Sequence, residues 1–183
     1  MKRPLLFLGF AVDLVILDQL SKWAVSELLM RTDGESLGLW SWIIAAPERL
    51  DFGRIEVWSF FNLVMVWNQG VSFGLFNQST DYGPLMLVVL ALVISGGFGV
   101  WLFRSDSRLQ MAGLAMVIGG AIGNVIDRLR FGAVMDFLDV HAFGYHWPAF
   151  NVADSCIMIG VCVLMVHALF YDQERPSFHR GRR

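Results

Sequence analysis

The stretch YGPLMLVVLALVISGGFGVWLF, Tyr82 to Phe103, runs for 22 residues without an Asp, Glu, Lys or Arg. A helix needs about 20 mostly apolar residues to cross the hydrocarbon core of a bilayer. Asp81 and Arg104 bound the run, so the sequence itself marks a span over residues 82–103. Working outward, Leu109 to Ile126 is an uncharged run of 18 residues and Ser155 to Tyr171 one of 17. With their flanks they predict spans over 109–127 and 152–171. Residues 4–25 are equally long but contain Asp13, Asp18 and Lys22. Lys2 and Arg3 ahead of that stretch, with Ala24-Val25-Ser26 behind it, would also fit a cleaved signal peptide. The ionisable residues favour a retained span, because charges inside a membrane segment are costly and usually functional. The chain reads as an all-α membrane protein of four spans.

Composition agrees. The 183 residues are 56% hydrophobic and 16% charged, where soluble domains carry about 25% charged residues. This excludes a disordered chain, a water-soluble globule and a nucleic-acid binder that relies on a basic field; the expected partner is lipid. Gly96, Gly97, Gly119, Gly120 and Gly123 allow helices to approach closely in a membrane. Cys156 and Cys162 lie six residues apart in one apolar run. They turn to different faces of a helix and read as packing residues. No His or Cys pair stands at ligand spacing, so neither a metal nor another cofactor is expected.

Basic residues set the orientation. Lys2 and Arg3, then Arg104 and Arg108, then Arg175, Arg180, Arg182 and Arg183 hold eight of the fourteen Lys and Arg. All fall on one side of a four-span chain. Residues 26–81, with seven acids against three arginines, fall on the other. Both termini are therefore expected in the cytoplasm, with 172–183 as a basic tail. The outer segments carry strand signals. Val57 to Trp67 is apolar and aromatic up to the Asn68-Gln69-Gly70 turn, after which Val71 to Phe76 resumes, and residues 133–140 are rich in β-formers. A small antiparallel sheet on the outer face is expected over about 56–76 and 131–150. The whole of 1–183 reads as one membrane domain, with nothing that asks for more than a monomer.

The polar residues gather at outer span ends. Asp18 and Lys22, at i and i+4, share a helix face and can pair. The third span ends at Asn124-Val125-Ile126-Asp127-Arg128 and the fourth begins at Asn151-Val152-Ala153-Asp154. Asp127 and Asp154 therefore meet at one membrane depth. Two half-shielded carboxylates at one depth hold one proton between them. Such a dyad can deprotonate a water with one member and protonate a substrate with the other, without metal or covalent intermediate. Position alone leaves a plainer reading open, in which each Asp caps a helix or pairs with Arg128 or Arg130.

Five segments resemble, in order, the motifs of the lipoprotein signal peptidase (signal peptidase II) family. They are Asp18-Gln19-Leu20-Ser21-Lys22, Asn68-Gln69-Gly70-Val71-Ser72-Phe73-Gly74, Gly119 through Arg128, Val134-Met135-Asp136-Phe137 and Phe150-Asn151-Val152-Ala153-Asp154-Ser155. The resemblance covers nearly the whole chain. It implies four transmembrane helices with an outer β-cradle in the bacterial cytoplasmic (inner) membrane, the site facing the periplasm. It further implies an aspartic endopeptidase that cuts prolipoproteins just before a diacylglyceryl-modified cysteine. By motif, Asp127 and Asp154 correspond to the catalytic dyad and Asp18 and Lys22 to a supporting pair. Asn68, Gly70, Asn124, Arg128, Asp136, Asn151 and Ala153 correspond to residues that line or brace the pocket.

The chain departs from the family in three places. The Asn68 turn continues Gln-Gly-Val-Ser where the family more often has Thr-Gly-Ala-Ala. Residues 31–56 form a longer connection than is usual. Asp13 sits about 140° round the helix from Asp18, on another face, and is expected to be satisfied by a neighbouring helix or near the inner interface. Ser21 beside Lys22 suggests a serine–lysine peptidase, but adjacent helical residues point about 100° apart. His141 and His146 read as surface or headgroup contacts. A small proton-coupled transporter or channel using the intramembrane acids is the alternative. It predicts ion flux without peptide, yet transporters place sites near the midplane in repeated halves, and no repeat is visible.

Overall fold

A computed structural model describes residues 2–45, 47–70 and 83–170. Residues 71–76 of the expected cradle, the span ends Tyr82 and Tyr171, and the tail 172–183 lie outside them. The elements in chain order are α1 (Lys2–Trp23), α2 (Leu39–Ala45), β1 (Arg54–Trp58), β2 (Phe61–Asn68), α3 (Gly83–Arg104), α4 (Arg108–Phe131), β3 (Val134–Ala142), β4 (Tyr145–His146) and α5 (Val152–Phe170).

Four helices are long and apolar enough to cross a bilayer. The first is longer than the expected 4–25, because α1 continues through a wider π-helical stretch, Ala24–Met30. Its end is tied down by buried Glu27, which accepts hydrogen bonds from Arg31 (2.8 and 3.2 Å) and from the Leu37 amide (2.9 Å). Helix α4 is the axis of the bundle, packed against α1, α3 and α5. It is 61% buried over its apolar window, against 17% for α3 and 22% for α5. The outer helices thus turn most of their apolar side chains away from the protein, as a lipid solvent requires.

Glycine decides how closely α4 meets its neighbours. A Cβ on Gly160 would lie 2.7 Å from the Gly113 carbonyl oxygen, and one on Gly123 would lie 2.7 Å from Asp18 Oδ2. Gly120 backs onto the Ala153 carbonyl in the same way. Small residues therefore bring α4 close to the backbone of α5 and to the Asp18 side chain of α1, which is what close helix packing in a membrane needs.

The sheet is antiparallel in the order β1-β2-β3-β4. The expected run over 57–67 is two strands, because a turn at Ser59-Phe60 folds β1 back on β2. Residues 131–133 are not strand. Phe131 completes α4, and Gly132, at φ +67° with its N–H on the Arg128 carbonyl (2.9 Å), caps it. The left-handed conformation at Gly132 ends the helix and reverses the chain, so β3 passes back over the end of α4. The lead-in to α5 is stitched to β3: Phe150 N–H donates to Leu138 O (3.1 Å), and Leu138 N–H donates to Phe150 O (2.8 Å).

Candidate active site

The C-terminal ends of α1 and α4, strand β3 and the N-terminal end of α5 meet at a buried polar cluster. Within α1, Lys22 reaches one turn back to Asp18 Oδ2 (2.7 Å) and across to Asp127 Oδ2 on α4 (2.7 Å). All three side chains are buried, Lys22 and Asp127 completely. Asp127 Oδ1 accepts from Gln19 Nε2 (2.9 Å), and Oδ2 also accepts from the Met135 amide (3.1 Å). Asp18 Oδ1 accepts the Ala153 amide (3.0 Å). The ion triad thereby ties α1 to α4, to β3 and to the first turn of α5. A Cβ on Gly123 would lie 3.3 Å from Ala153 Cβ, so small residues at both positions let the helices meet there.

Asp154 is the third residue of α5, and Asn151 is its N-cap. Asn151 Oδ1 accepts the Asp154 amide (2.9 Å), while Asp154 Oδ2 accepts the Asn151 amide (3.3 Å). This reciprocal pair is a capping box, and it puts a carboxylate where the helix dipole favours negative charge. Helix capping and site placement are here one arrangement. The other Asp154 oxygen accepts from Asn124 Nδ2 (2.8 Å).

Asp136 comes in from β3. It is 1% exposed, with Oδ1 accepting from Asn151 Nδ2 (2.8 Å) and Oδ2 from Asn68 Nδ2 (3.0 Å). Asn68 in turn accepts the Gly70 amide (2.8 Å), so the Asn68-Gln69-Gly70 turn is closed on the site, with Gly70 at φ +95°. Burial first, and the negative charge of Asp154 second, push the Asp136 carboxyl up to about 7; the Asn68 and Asn151 hydrogen bonds and the Lys22 charge act against the rise. Asn151, wholly buried, joins the two carboxylates, since it caps Asp154 and donates to Asp136. Arg128 lies within electrostatic reach of Asp154, Asp127 and Asp136, and its hydrogen bond among the described residues goes to the Asn124 carbonyl (3.3 Å).

The structure thus brings all eleven sequence-identified residues to the cluster. The expectation set Asp127 against Asp154. Both oxygens of Asp127 are engaged by Lys22, Gln19 and the Met135 amide, and the charge of Asp154 acts on the Asp136 carboxyl. Neither Arg128 nor Arg130 forms an ion pair with an Asp among the described residues; Arg130 donates to Gln19 (3.2 Å) and to the Trp42 carbonyl. Gln19 was quoted in the first motif but given no role, and the Met135 amide has no side-chain signal in the sequence. Ser21 donates to the Asp18 carbonyl (2.7 Å), while Lys22 is held by two carboxylates, which leaves no serine–lysine couple. Asp13 lies exposed on α1. His146 Nδ1 is 2.8 Å from Asp139, and its ring stacks on His141 at 4.6 Å.

Chemically, the cluster offers a carboxyl that keeps its proton up to near-neutral pH beside a carboxylate at a helix N-terminus, with Arg128 and two buried asparagines around them. That is the equipment for proton transfer to and from a polar bond at a membrane surface.

A family model described as Signal peptidase (SPase) II matches residues 10–170. The chain is 39% identical over 171 residues to a lipoprotein signal peptidase of Methylobacterium sp. (strain 4-46), covering 93% of each. To one of Rhizorhabdus wittichii it is 39% identical over 174 residues, 94% of this chain and 90% of the relative. Among solved structures it resembles a bacterial membrane enzyme determined by the in meso method at 2.3 Å, with TM-score 0.67 and 25% identity, over 100% of this chain and 96% of that one.

Proposed function

The chain belongs to the signal peptidase II family, and on that premise we propose that it removes the signal peptide from diacylglyceryl-modified prolipoproteins by an Asp136–Asp154 dyad. The observation that carries the mechanism is the electrostatic coupling of those two carboxyls across Asn151. Asp154, at the N-terminus of α5, is the ionised member and takes a proton from the attacking water. Asp136, protonated, donates to the scissile carbonyl oxygen; as the tetrahedral diol collapses it takes that proton back, and Asp154 passes the proton it took from water to the leaving amine. Arg128 offsets the charge of the cluster and offers donors to the substrate backbone. Asp127, with Lys22 and Asp18, fixes the ends of α1, α4 and α5 around the dyad.

The orientation is part of the proposal. The basic residues Lys2, Arg3, Arg104 and Arg108 place both termini in the cytoplasm of a bacterium. The dyad and sheet then lie at the periplasmic face of the inner membrane, where a substrate anchored by acyl chains is confined to the plane of the site.

Purified enzyme in nanodiscs tests this reading. It should cleave a diacylated prolipoprotein just before the lipidated cysteine and leave the unlipidated form intact; proton flux in the absence of peptide with no cleavage would overturn it in favour of a transporter. The pH profile follows from the acid's role. Asp136 must be protonated, so on the alkaline side of the profile kcat/KM falls as pH rises through about 7. The Asn68 hydrogen bond favours the ionised form, so Asn68→Ala moves the alkaline limb to higher pH. A limb that stays put, or moves down, contradicts the assignment of Asp136 as the acid.

A further inference from the structure

Asp154 faces two ways. Besides the polar cluster, it lines a groove of about 580 Å³ whose other walls are Trp147, Pro148, Ala149, Phe150, Ser155, Met158 and Ile159. Asp154, Ser155, Met158 and Ile159 fall at i, i+1, i+4 and i+5 and share one face of α5. From the reacting carboxylate the groove descends about 7.5 Å along the helix, at 1.5 Å per residue, into the depth expected of the bilayer. Trp147 is 56% exposed, Met158 61% and Ile159 50%.

The facing wall is preformed. Trp147 N–H donates to the Val140 carbonyl (2.9 Å) and Phe150 N–H to that of Leu138 (3.1 Å), and Pro148 between them has a fixed φ. A groove held open by backbone hydrogen bonds and lined by apolar side chains has the character of a ligand site. Three other grooves lie away from the dyad. Two lie at the opposite end of the bundle around Arg3, and one lies on the far flank of α1, against α2.

We propose that the groove formed by Trp147, Phe150, Asp154, Ser155, Met158 and Ile159 seats one acyl chain of the substrate's lipidated cysteine and so selects substrates by chain. The inference rests on the cleavage proposed above. The thioether of that cysteine is only a few bonds from the scissile nitrogen, so its glyceryl group must sit beside Asp154 when the bond is in place. The groove on α5 offers an apolar path from Asp154 into lipid. An acyl chain gains little by leaving lipid for protein, so the selectivity comes from contacts with the shaped wall rather than from dehydration.

Met158→Trp, which fills the groove one turn below Asp154 and lies outside the catalytic cluster, provides the test. Wild-type enzyme and variant are assayed in nanodiscs on one prolipoprotein peptide carrying either long or very short acyl chains. The wild type prefers the long-chain substrate. The variant raises KM for it by about three- to tenfold, with kcat and the short-chain kcat/KM held. Should Met158→Trp fail to accumulate, Met158→Ala loosens the wall and narrows the preference between the two substrates. Equal losses on both substrates, or a wild type indifferent to chain length because a bilayer lipid fills the groove, overturn the proposal. Cleavage of neither substrate by the wild type would instead overturn the peptidase reading itself.

Discussion

Asp136→Asn and Asp154→Asn each lower cleavage of a diacylated prolipoprotein by at least ~10²–10⁴-fold, the usual contribution of a positioned acid or base. Both substitutions keep the size of the side chain and remove only its ability to exchange a proton. The fold should tolerate them. In Asp136→Asn the new amide keeps its oxygen on one of two donors, Asn68 or Asn151, and turns its own NH₂ toward the other. The loss is about one hydrogen bond, worth ~1 kcal/mol. The thermal midpoint then falls by about 2–4 °C, measured on purified protein beside the assay. The double variant should be no worse than either single one, because the two carboxyls act as a unit. Cleavage at near wild-type rate in either single variant would remove that residue from the mechanism.

The second large effect concerns stability. Lys22→Met leaves Asp18 and Asp127 buried without their common cation, and breaking a buried ion pair from one side costs about 3–5 kcal/mol. With Lys22 fully buried and 2.7 Å from both acids, solvent cannot take its place. The variant should therefore unfold at a much lower temperature and be lost to degradation in cells. Adding Asp18→Asn and Asp127→Asn removes the stranded charges, and the triple variant should recover much of the lost midpoint. A single variant as stable as wild type would show that the triad does not brace the bundle. A triple variant less stable than Lys22→Met would show that the acids act through something other than their charge.

Much of this arrangement is legible in the sequence. Charge-free runs mark the spans, because lipid permits so few ionisable residues that the exceptions stand out. The i, i+4 spacing of Asp18 and Lys22 yields a true ion pair, and the strand signals lead to the sheet. What spacing could not supply was the direction in which each acid faces. Asp127 ends α4 at about the right depth, but depth is not direction. Asn124 and Asp127, three residues apart, point about 60° from one another; one faces Asp154 and the other faces Lys22. Asp136 enters because Gly132 reverses the chain and Phe150 is hydrogen-bonded to β3. The first is a local helix cap and the second a longer-range pairing, and periodicity encodes neither. The split of residues 54–68 into two strands escaped for a simpler reason. Ser59-Phe60 carries no Gly, Pro, Asn or Asp to announce a turn.

Infrared difference spectroscopy across a pH titration, comparing wild type with Asp136→Asn and Asp127→Asn, tests the division of labour among the acids most directly. A protonated carboxyl has its own C=O stretching band, separate from that of the carboxylate. The wild type should show one such band disappearing as pH rises through about 7; it should be absent from Asp136→Asn and retained in Asp127→Asn. A band that survives in Asp136→Asn and vanishes in Asp127→Asn would contradict the account and return the dyad to Asp127 and Asp154.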